Sequence, residues 1–141
     1  MTNRVSYTLD STLDSVNTAE STAVKFAAGA GFSEDEQSNI AMAVREAAVN
    51  AVLHGNAYDP EKKFFLAYEN TDDSIIITIT DQGQGLDASN IPDPLAPENL
   101  MKGSGRGIFL IRAFMDEVKF QNKNPGTEIT LIKKHAKEER Q

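Results

Sequence analysis

Residues 45–56 read REAAVNAVLHGN. Alanine, valine and leucine predominate in this stretch, as they do in a helix that is buried against a core. Three polar residues, Glu46, Asn50 and His54, interrupt it at intervals of four. Because residues four apart return to the same side of an α-helix, these side chains form one polar stripe. Burying such groups without partners costs on the order of several kcal/mol, so we expect the stripe to face something polar.

The composition is that of a folded protein. The chain has 141 residues, 40% hydrophobic and 25% charged, which favours one domain over residues 1–141. No apolar run approaches the roughly 20 residues that a membrane span needs, and the N-terminus lacks the apolar segment of a signal peptide. The chain has no cysteine, which excludes disulfides and thiolate zinc sites. We therefore expect a cytoplasmic protein with no membrane partner.

The formal net charge of −7 disfavours nonspecific binding to DNA or RNA, which requires a basic face. A bound nucleotide is compatible with this charge, because a metal ion and local backbone dipoles can offset the phosphates. We therefore expect no direct contact with nucleic acid.

Five runs of the sequence have the character of strands. They are rich in β-branched, aromatic or alternating apolar residues and are bounded by turn residues: 4–9, 63–69, 74–80, 117–121 and 127–134. The run SIIITIT at 74–80 is apolar on both faces up to Thr78, which predicts a central strand.

Three helices are predicted between these strands. The first begins after Asp10 or Ser11 and ends near Ala28, the second begins at Ser33 and runs to about His54, and the third covers 107–115. Together with the strands, this order predicts a two-layer α/β sandwich. Its sheet is expected to be mixed but mostly antiparallel, with the helices on one face.

The segment DQGQGLD at 81–87 directly follows the predicted central strand. A carboxylate at Asp81 lies at the edge of the core, where it can accept a hydrogen bond from an exocyclic amine such as that of adenine. Gly83 and Gly85 permit the close approach of a planar ligand. A strand-ending turn without a ligand explains the same residues about as well.

The segment KGSGRGIF at 102–109 alternates glycine with groups that suit an anion. The glycines are Gly103, Gly105 and Gly107, and the other groups are Lys102, Ser104 and Arg106. The N-terminus of the following helix offers unpaired N–H groups and a partial positive charge, which suit phosphate. The spacing matches neither a P-loop nor the dinucleotide fingerprint, so a flexible connection stays open as the alternative.

The polar stripe itself has two interpretations. In the first, Asn50 is a neutral oxygen ligand for magnesium, and Glu46 is a base or an orienting group one turn away. A hard divalent ion that retains several waters needs only one or two protein oxygens. In the second, Glu46 and Asn50 bond to each other or to a loop, and His54 caps the helix C-terminus.

In this order and spacing, the three clusters resemble the N, G1 and G2 boxes of the ATPase superfamily that includes gyrase, a heat-shock chaperone and histidine kinases. The patterns E-A-x-x-N-A-x-x-H-G at 46–55, D-x-G-x-G at 81–85 and S-G-x-G-x-x-x-I at 104–111 are most similar to the anti-sigma factor serine kinases. FMDEV at 114–118 and GT at 126–127 extend the resemblance over nearly the whole chain.

The resemblance implies a Bergerat (GHKL) fold, a left-handed βαβ sandwich that binds Mg-ATP on the helical face of its sheet. It implies that Asn50 is the magnesium ligand and Glu46 the catalytic carboxylate. It makes Asp81 the adenine contact, with Gly83 and Gly85 in the base-binding turn.

The other ATP-binding positions that the resemblance implies are His54, Thr127 near the adenine pocket, and the phosphate loop from Gly103 to Gly107 with its Ser104, Arg106 and neighbouring Lys102. Residues 87–102 correspond to a lid, which we expect to be mobile without nucleotide. Some relatives place an arginine just before S-G-x-G, where this chain has Gly103. Lys102 and Arg106 are therefore both candidates for the γ-phosphate contact.

The function that the resemblance implies is an anti-sigma factor that binds Mg-ATP and phosphorylates a serine or threonine of an anti-sigma-factor antagonist. It would also bind a sigma factor and regulate it by partner switching. The alternative is a nucleotide-gated protein-binding module without phosphotransfer. A detached histidine-kinase domain fits less well, because His54 and His135 are the only histidines and neither lies in a recognisable phosphoacceptor helix. The sequence leaves open whether the chain forms a homodimer.

Overall fold

Five strands and three helices make up the described part of the chain. A computed structural model of the protein describes residues 3–57, 59–83, 105–123 and 126–135. The strands are β1 (Asn3–Asp10), β2 (Lys63–Asn70), β3 (Ser74–Thr80), β4 (Glu117–Asn122) and β5 (Thr127–Lys134). The helices are α1 (Leu13–Gly29), α2 (Glu34–Val49) and α3 (Gly105–Phe114), and α2 continues into a π-helical turn at Asn50–Gly55. None of the helices in these ranges is long and apolar enough to cross a membrane.

The strands form one sheet in the order β1-β2-β3-β5-β4. The strand β3 lies in the middle, as its two apolar faces predict. The four pairings between the described strands are all antiparallel. The sequence predicted a mixed sheet, and no parallel pair occurs among these strands. The predicted class, a sheet covered by helices, is confirmed.

One face of the sheet is apolar and carries the helices. Alternate residues of β2, β3 and β5 are buried there, and the register places Tyr68 opposite Ile77 and Ile77 opposite Leu131. The helices α1 and α2 pack against each other over this face. Five apolar residues of α2 and of the turn that follows it are at most 2% exposed: Ile40, Val44, Ala47, Ala48 and Ala51.

The cap of α2 agrees with the prediction from the sequence, and the cap of α1 does not. Ser33 caps α2, as predicted, by accepting a hydrogen bond from the Glu36 N–H at 3.2 Å. The prediction of Asp10 or Ser11 as the cap of α1 is wrong, because Thr12 accepts from the Ser15 N–H at 3.2 Å. Ser11 is instead buried, and its hydroxyl donates to the carbonyl of Lys62 at 2.7 Å.

A buried phenol ties the sheet to α1. The Tyr68 hydroxyl lies 3.0 Å from the Ala19 carbonyl, to which it donates, and 2.9 Å from the Thr22 hydroxyl. Burial raises the pKa of this phenol, so it stays protonated and able to donate. The spacing between the sheet and α1 is thereby held by hydrogen bonds as well as by apolar packing.

Candidate functional site

The helix that bears the polar stripe changes its geometry at Asn50. Up to Val49 it is α-helical, and Asn50–Gly55 form a π-helical turn. The Asn56 N–H closes this turn by donating to the Ala51 carbonyl at 2.8 Å, a bond that spans five residues. The predicted extent of this helix, to about His54, is confirmed, and its last turn is π-helical rather than α-helical. Single π-helical turns inside helices occur frequently at functional sites.

The side chains of Glu46, on α2, and Asn50, at the start of the π-helical turn, are both half-buried. Within the described ranges, no residue forms a hydrogen bond or an ion pair with either side chain. The interpretation in which the two satisfy each other is therefore not what the structure shows. The backbone of His54 lies in the π-helical turn.

Asp81 lies directly after β3 and is 8% exposed. Its Oδ1 accepts hydrogen bonds from the N–H groups of Gly83 at 3.0 Å and Thr127 at 3.1 Å. Its own N–H donates to the Thr127 carbonyl at 3.0 Å. Desolvation by burial raises the pKa of the Asp81 carboxyl, and the N–H groups of Gly83 and Thr127 together with the charge of Lys62 offset only part of that rise. The carboxylate is thus fixed in orientation and costly to keep charged.

The end of the π-helical turn packs directly on the segment that begins with Asp81. A Cβ added to Gly55 would lie 2.2 Å from Asp81 Oδ2, and one added to Gly83 would lie 2.0 Å from the Gly55 carbonyl oxygen. Only glycine permits an approach this close. This contact could not be predicted from the sequence, because no local pattern shows what packs on a glycine.

The first turn of α3 begins earlier than predicted. Gly105, Arg106 and Gly107 are helical, whereas the sequence predicted a helix from residue 107 and a phosphate loop through Gly107. The expectation of a loop is wrong for these three residues. The N–H groups of a first turn have no intrahelical partner, so they still point out of the helix. The helix α3 packs against α2. Gly85, Lys102, Gly103, Ser104 and the predicted lid at 87–102 lie outside the described residues.

The arrangement of motifs agrees with comparisons to known proteins. The model of the histidine kinase-like ATPase domain matches residues 9–133. Serine-protein kinase RsbW of Staphylococcus epidermidis is 38% identical, with 79% of this chain and 73% of that protein aligned. The anti-sigma F factor of Clostridium perfringens is 34% identical, with 71% of this chain and 74% of that protein aligned. The chain belongs to the histidine kinase-like ATPase family.

The predicted resemblance to the anti-sigma factor serine kinases is confirmed by these relatives. A solved structure of the RsbU and RsbW domains of a Mycobacterium tuberculosis protein has a TM-score of 0.64 at 22% identity. The match covers 93% of this chain and 32% of that chain, and it concerns the fold.

The donor chemistry of this ATPase-family site fits a hard cation. In the parts of the chain that the structure describes, no group of three or more His, Asp or Glu side chains could hold a metal ion. The amide oxygen of Asn50 is an oxygen ligand of the kind that Mg²⁺ prefers, and the carboxylate of Glu46 lies one helical turn away. One or two protein oxygens are enough for an ion that retains waters and binds phosphate oxygens.

Gly83→Ala is expected to lower the free energy of unfolding by about 1–3 kcal/mol, the usual cost of overpacking. The added Cβ would meet the Gly55 carbonyl oxygen, which belongs to the backbone and cannot rotate away. Gly29→Ala is the matched control, since its Cβ would meet no atom within 4 Å. The control should be as stable as the parent or more so, because alanine is the better helix former. Urea denaturation measures both, and an unchanged midpoint for Gly83→Ala would contradict the close contact.

Proposed function

We propose that this protein is an anti-sigma factor with ATP-dependent serine/threonine kinase activity, built as one ATPase domain over residues 1–141. In this proposal it binds Mg-ATP in the cytoplasm and phosphorylates a serine or threonine of an anti-sigma-factor antagonist. It also holds a sigma factor, which it releases when the antagonist takes its place. The names of the RsbW and anti-sigma F relatives support the class of reaction and the class of partner.

The observation on which the nucleotide part of the proposal rests is the junction of Gly55, Asp81 and Gly83. A buried carboxylate whose pKa burial has raised is costly, so its retention favours a role in binding. Two N–H groups fix Oδ1, and the carboxylate can accept from the exocyclic amine of adenine through its remaining lone pairs. Asp81 is thus the proposed base contact. Gly83 and Gly85 are proposed as the residues of the base-binding turn, with Thr127 near the base.

The phosphates are assigned to the start of α3. The free N–H groups of its first turn suit an anion, and Gly103 and Ser104 precede them in the sequence. Lys102 and Arg106 supply positive charge in a chain that is acidic overall. His54 is proposed as a further nucleotide contact from the π-helical turn.

Asn50 is assigned to the metal, and Glu46 is assigned to the chemical step. When bound, Mg-ATP supplies a transferable phosphoryl group and a divalent charge close to it. Asn50 contributes its amide oxygen to the metal. Glu46 accepts or orients the proton of the incoming serine or threonine hydroxyl. The half-buried position of Glu46 on α2 supports this role, because a helix holds the carboxylate in a defined place.

Saturating Mg-ATP is expected to raise the melting temperature by roughly 5–10 °C. A ligand at a hundred times its Kd adds about 2.7 kcal/mol to the stability of the native state, and one kcal/mol shifts the melting temperature of a chain of this size by about 2–4 °C or slightly more. Differential scanning fluorimetry with Mg-ATP, Mg-ADP, Mg-GTP and magnesium alone measures the shift. If neither Mg-ATP nor Mg-ADP moves the curve, the nucleotide proposal is wrong.

The kinase part is tested separately from nucleotide binding. Partners that bind the purified protein are captured and identified. Each partner is then incubated with the purified protein in the presence of labelled ATP. Transfer of label to a serine or threonine of an antagonist is the expected result. Stable nucleotide-dependent capture without any transfer would instead favour the nucleotide-gated binding module.

A further inference from the structure

Asn56 is a fully buried polar residue at the exit of the π-helical turn, and no motif of the sequence includes it. Its side chain is 0% exposed. Its Nδ2 donates to the Ser11 hydroxyl at 2.8 Å and to the Lys63 carbonyl at 2.9 Å. Its Oδ1 accepts from the Gln82 N–H at 2.8 Å. One carboxamide thus joins the end of β1, the start of β2 and the segment after β3.

The partners of Asn56 are themselves connected. The Ser11 hydroxyl donates to the Lys62 carbonyl at 2.7 Å, and the Lys63 N–H donates to Gln82 Oε1 at 2.7 Å. The backbone of Asn56 is held as well, because its N–H closes the π-helical turn and its carbonyl accepts from the Asp59 N–H at 2.9 Å. Asn56 is therefore fixed at both its main chain and its side chain.

This network bears directly on the base-binding turn. Gln82 lies between Asp81 and Gly83, and Gly55 precedes Asn56. The Asn56–Gln82 hydrogen bond runs beside the two close glycine contacts, Gly55 with Asp81 and Gly83 with Gly55. The glycine contacts set how near the two segments can come, but they are not directional. The hydrogen bond is directional, and it ties the Asp81–Gly83 backbone to the helix end, whereas the bonds of Asp81 to Thr127 tie the same segment to β5.

A carboxamide is the side chain that this position requires. It offers one acceptor to the Gln82 N–H and two donors to Ser11 and Lys63. Aspartate would place an acceptor against the Lys63 carbonyl, and alanine would leave the Gln82 N–H without this acceptor. The chemistry of the position therefore selects asparagine over its usual replacements.

We infer that Asn56 is a positioning residue for base recognition, which holds Asp81 and Gly83 in register with the helix end so that adenine is preferred over guanine. The inference rests on the proposed function, since it concerns the adenine contact of Asp81. A buried asparagine that merely stabilised the fold would affect melting but not the choice of base. The ratio of ATP to GTP affinity separates these two roles.

The experiment compares Asn56→Ala with Ser11→Ala by calorimetric titration of the full chain with Mg-ATP and Mg-GTP. Ser11→Ala is the matched control, because it removes hydrogen bonds from the same network but leaves the Asn56–Gln82 bond in place. Asn56→Ala is expected to lower ATP affinity about tenfold or more with a smaller effect on GTP, so the ATP-to-GTP ratio falls. Ser11→Ala should lower the melting temperature and keep the parent ratio.

If Asn56→Ala does not fold, Asn56→Ser replaces it in the experiment, because the serine hydroxyl fills part of the space left by the carboxamide. A folded Asn56 variant that keeps the parent's ratio of ATP to GTP affinity would overturn the inference. The inference would also be overturned if Ser11→Ala changed that ratio as much as the Asn56 variant does. If neither Asn56 variant folds, the residue is structural and the inference is wrong. The parent protein is titrated first, because failure of the parent to bind ATP overturns the proposed function itself.

Discussion

Glu46→Gln is expected to lower the rate of phosphotransfer roughly a hundredfold or more, the usual scale for a positioned acid or base. The affinity for ATP should stay close to that of the parent. Glutamine keeps the shape of the side chain and removes its charge, so it can no longer take up the proton of the substrate hydroxyl. The half-buried site should accept the neutral amide without loss of stability, because an amide is easier to bury than a carboxylate.

Glu34→Gln is the matched control for this experiment. Glu34 lies in the first turn of α2, at the opposite end of the helix from Asn50, and is exposed. The control removes the same charge from the same helix and should phosphorylate the antagonist at the parent rate. Its stability should fall by about 0.3–1 kcal/mol, since an acidic residue at a helix N-terminus is favourable. A folded Glu46→Gln protein that works at the parent rate would contradict the catalytic assignment and leave ATP binding untouched.

The neighbouring position separates metal binding from chemistry. Asn50→Ala removes the proposed magnesium ligand, so in the same assays it should weaken metal-dependent ATP binding rather than the chemical step alone. Glu46→Gln should instead slow the chemical step and leave the affinity for ATP close to that of the parent. The two residues share one side of α2, and these different outcomes are what distinguish a catalytic carboxylate from a metal ligand.

The layers of the fold could be predicted because the patterns that determine them are local. SIIITIT is apolar on both faces and became the central strand, and the apolar positions of α2 recur at helical spacing and are buried. The cap of α1 could not be predicted in this way. Thr12 and Ser11 are both good caps by residue type, and the choice depends on a hydrogen bond from Ser11 to Lys62, which is 51 residues away.

In the candidate site, too, features with a local pattern could be predicted and features that depend on distant residues could not. Asp81 and Gly83 could be singled out because an acidic residue and a glycine directly follow an apolar strand. Asn56 could not, since its side-chain partners lie 45, 7 and 26 residues away. An asparagine directly after a helix-ending glycine was the available signal, and it also fits an ordinary turn. The π-helical turn was missed as well, since the bond that closes it, from the Asn56 N–H to the Ala51 carbonyl, is a main-chain bond that no residue type marks.

Asp81→Asn is expected to weaken ATP binding about tenfold to a hundredfold without weakening the fold. The asparagine Oδ1 can still accept from the N–H groups of Gly83 and Thr127, so the local hydrogen bonds remain. The other oxygen becomes an NH₂ donor, which cannot accept from the exocyclic amine of adenine. A lost hydrogen bond to a charged group corresponds to about 1.5–3 kcal/mol. The ATP-to-GTP ratio should fall, and Asp35→Asn, an exposed change on α2, should leave it at the parent value.

The stability of Asp81→Asn should depend on pH in a defined direction. Because the pKa of Asp81 is raised above 3.8 in the folded protein, the native state holds its proton more tightly than the unfolded chain. The parent therefore has this stabilisation in full below about pH 3.8, and loses it as the pH rises through the raised pKa. Asp81→Asn has no such group, so its free energy of unfolding relative to the parent should increase from acid to neutral pH. Urea titrations at several pH values measure this difference. A relative stability that falls with rising pH would show that the ionised carboxylate stabilises the fold, and Asp81 would then have a structural role that the loss of ATP affinity alone could not reveal.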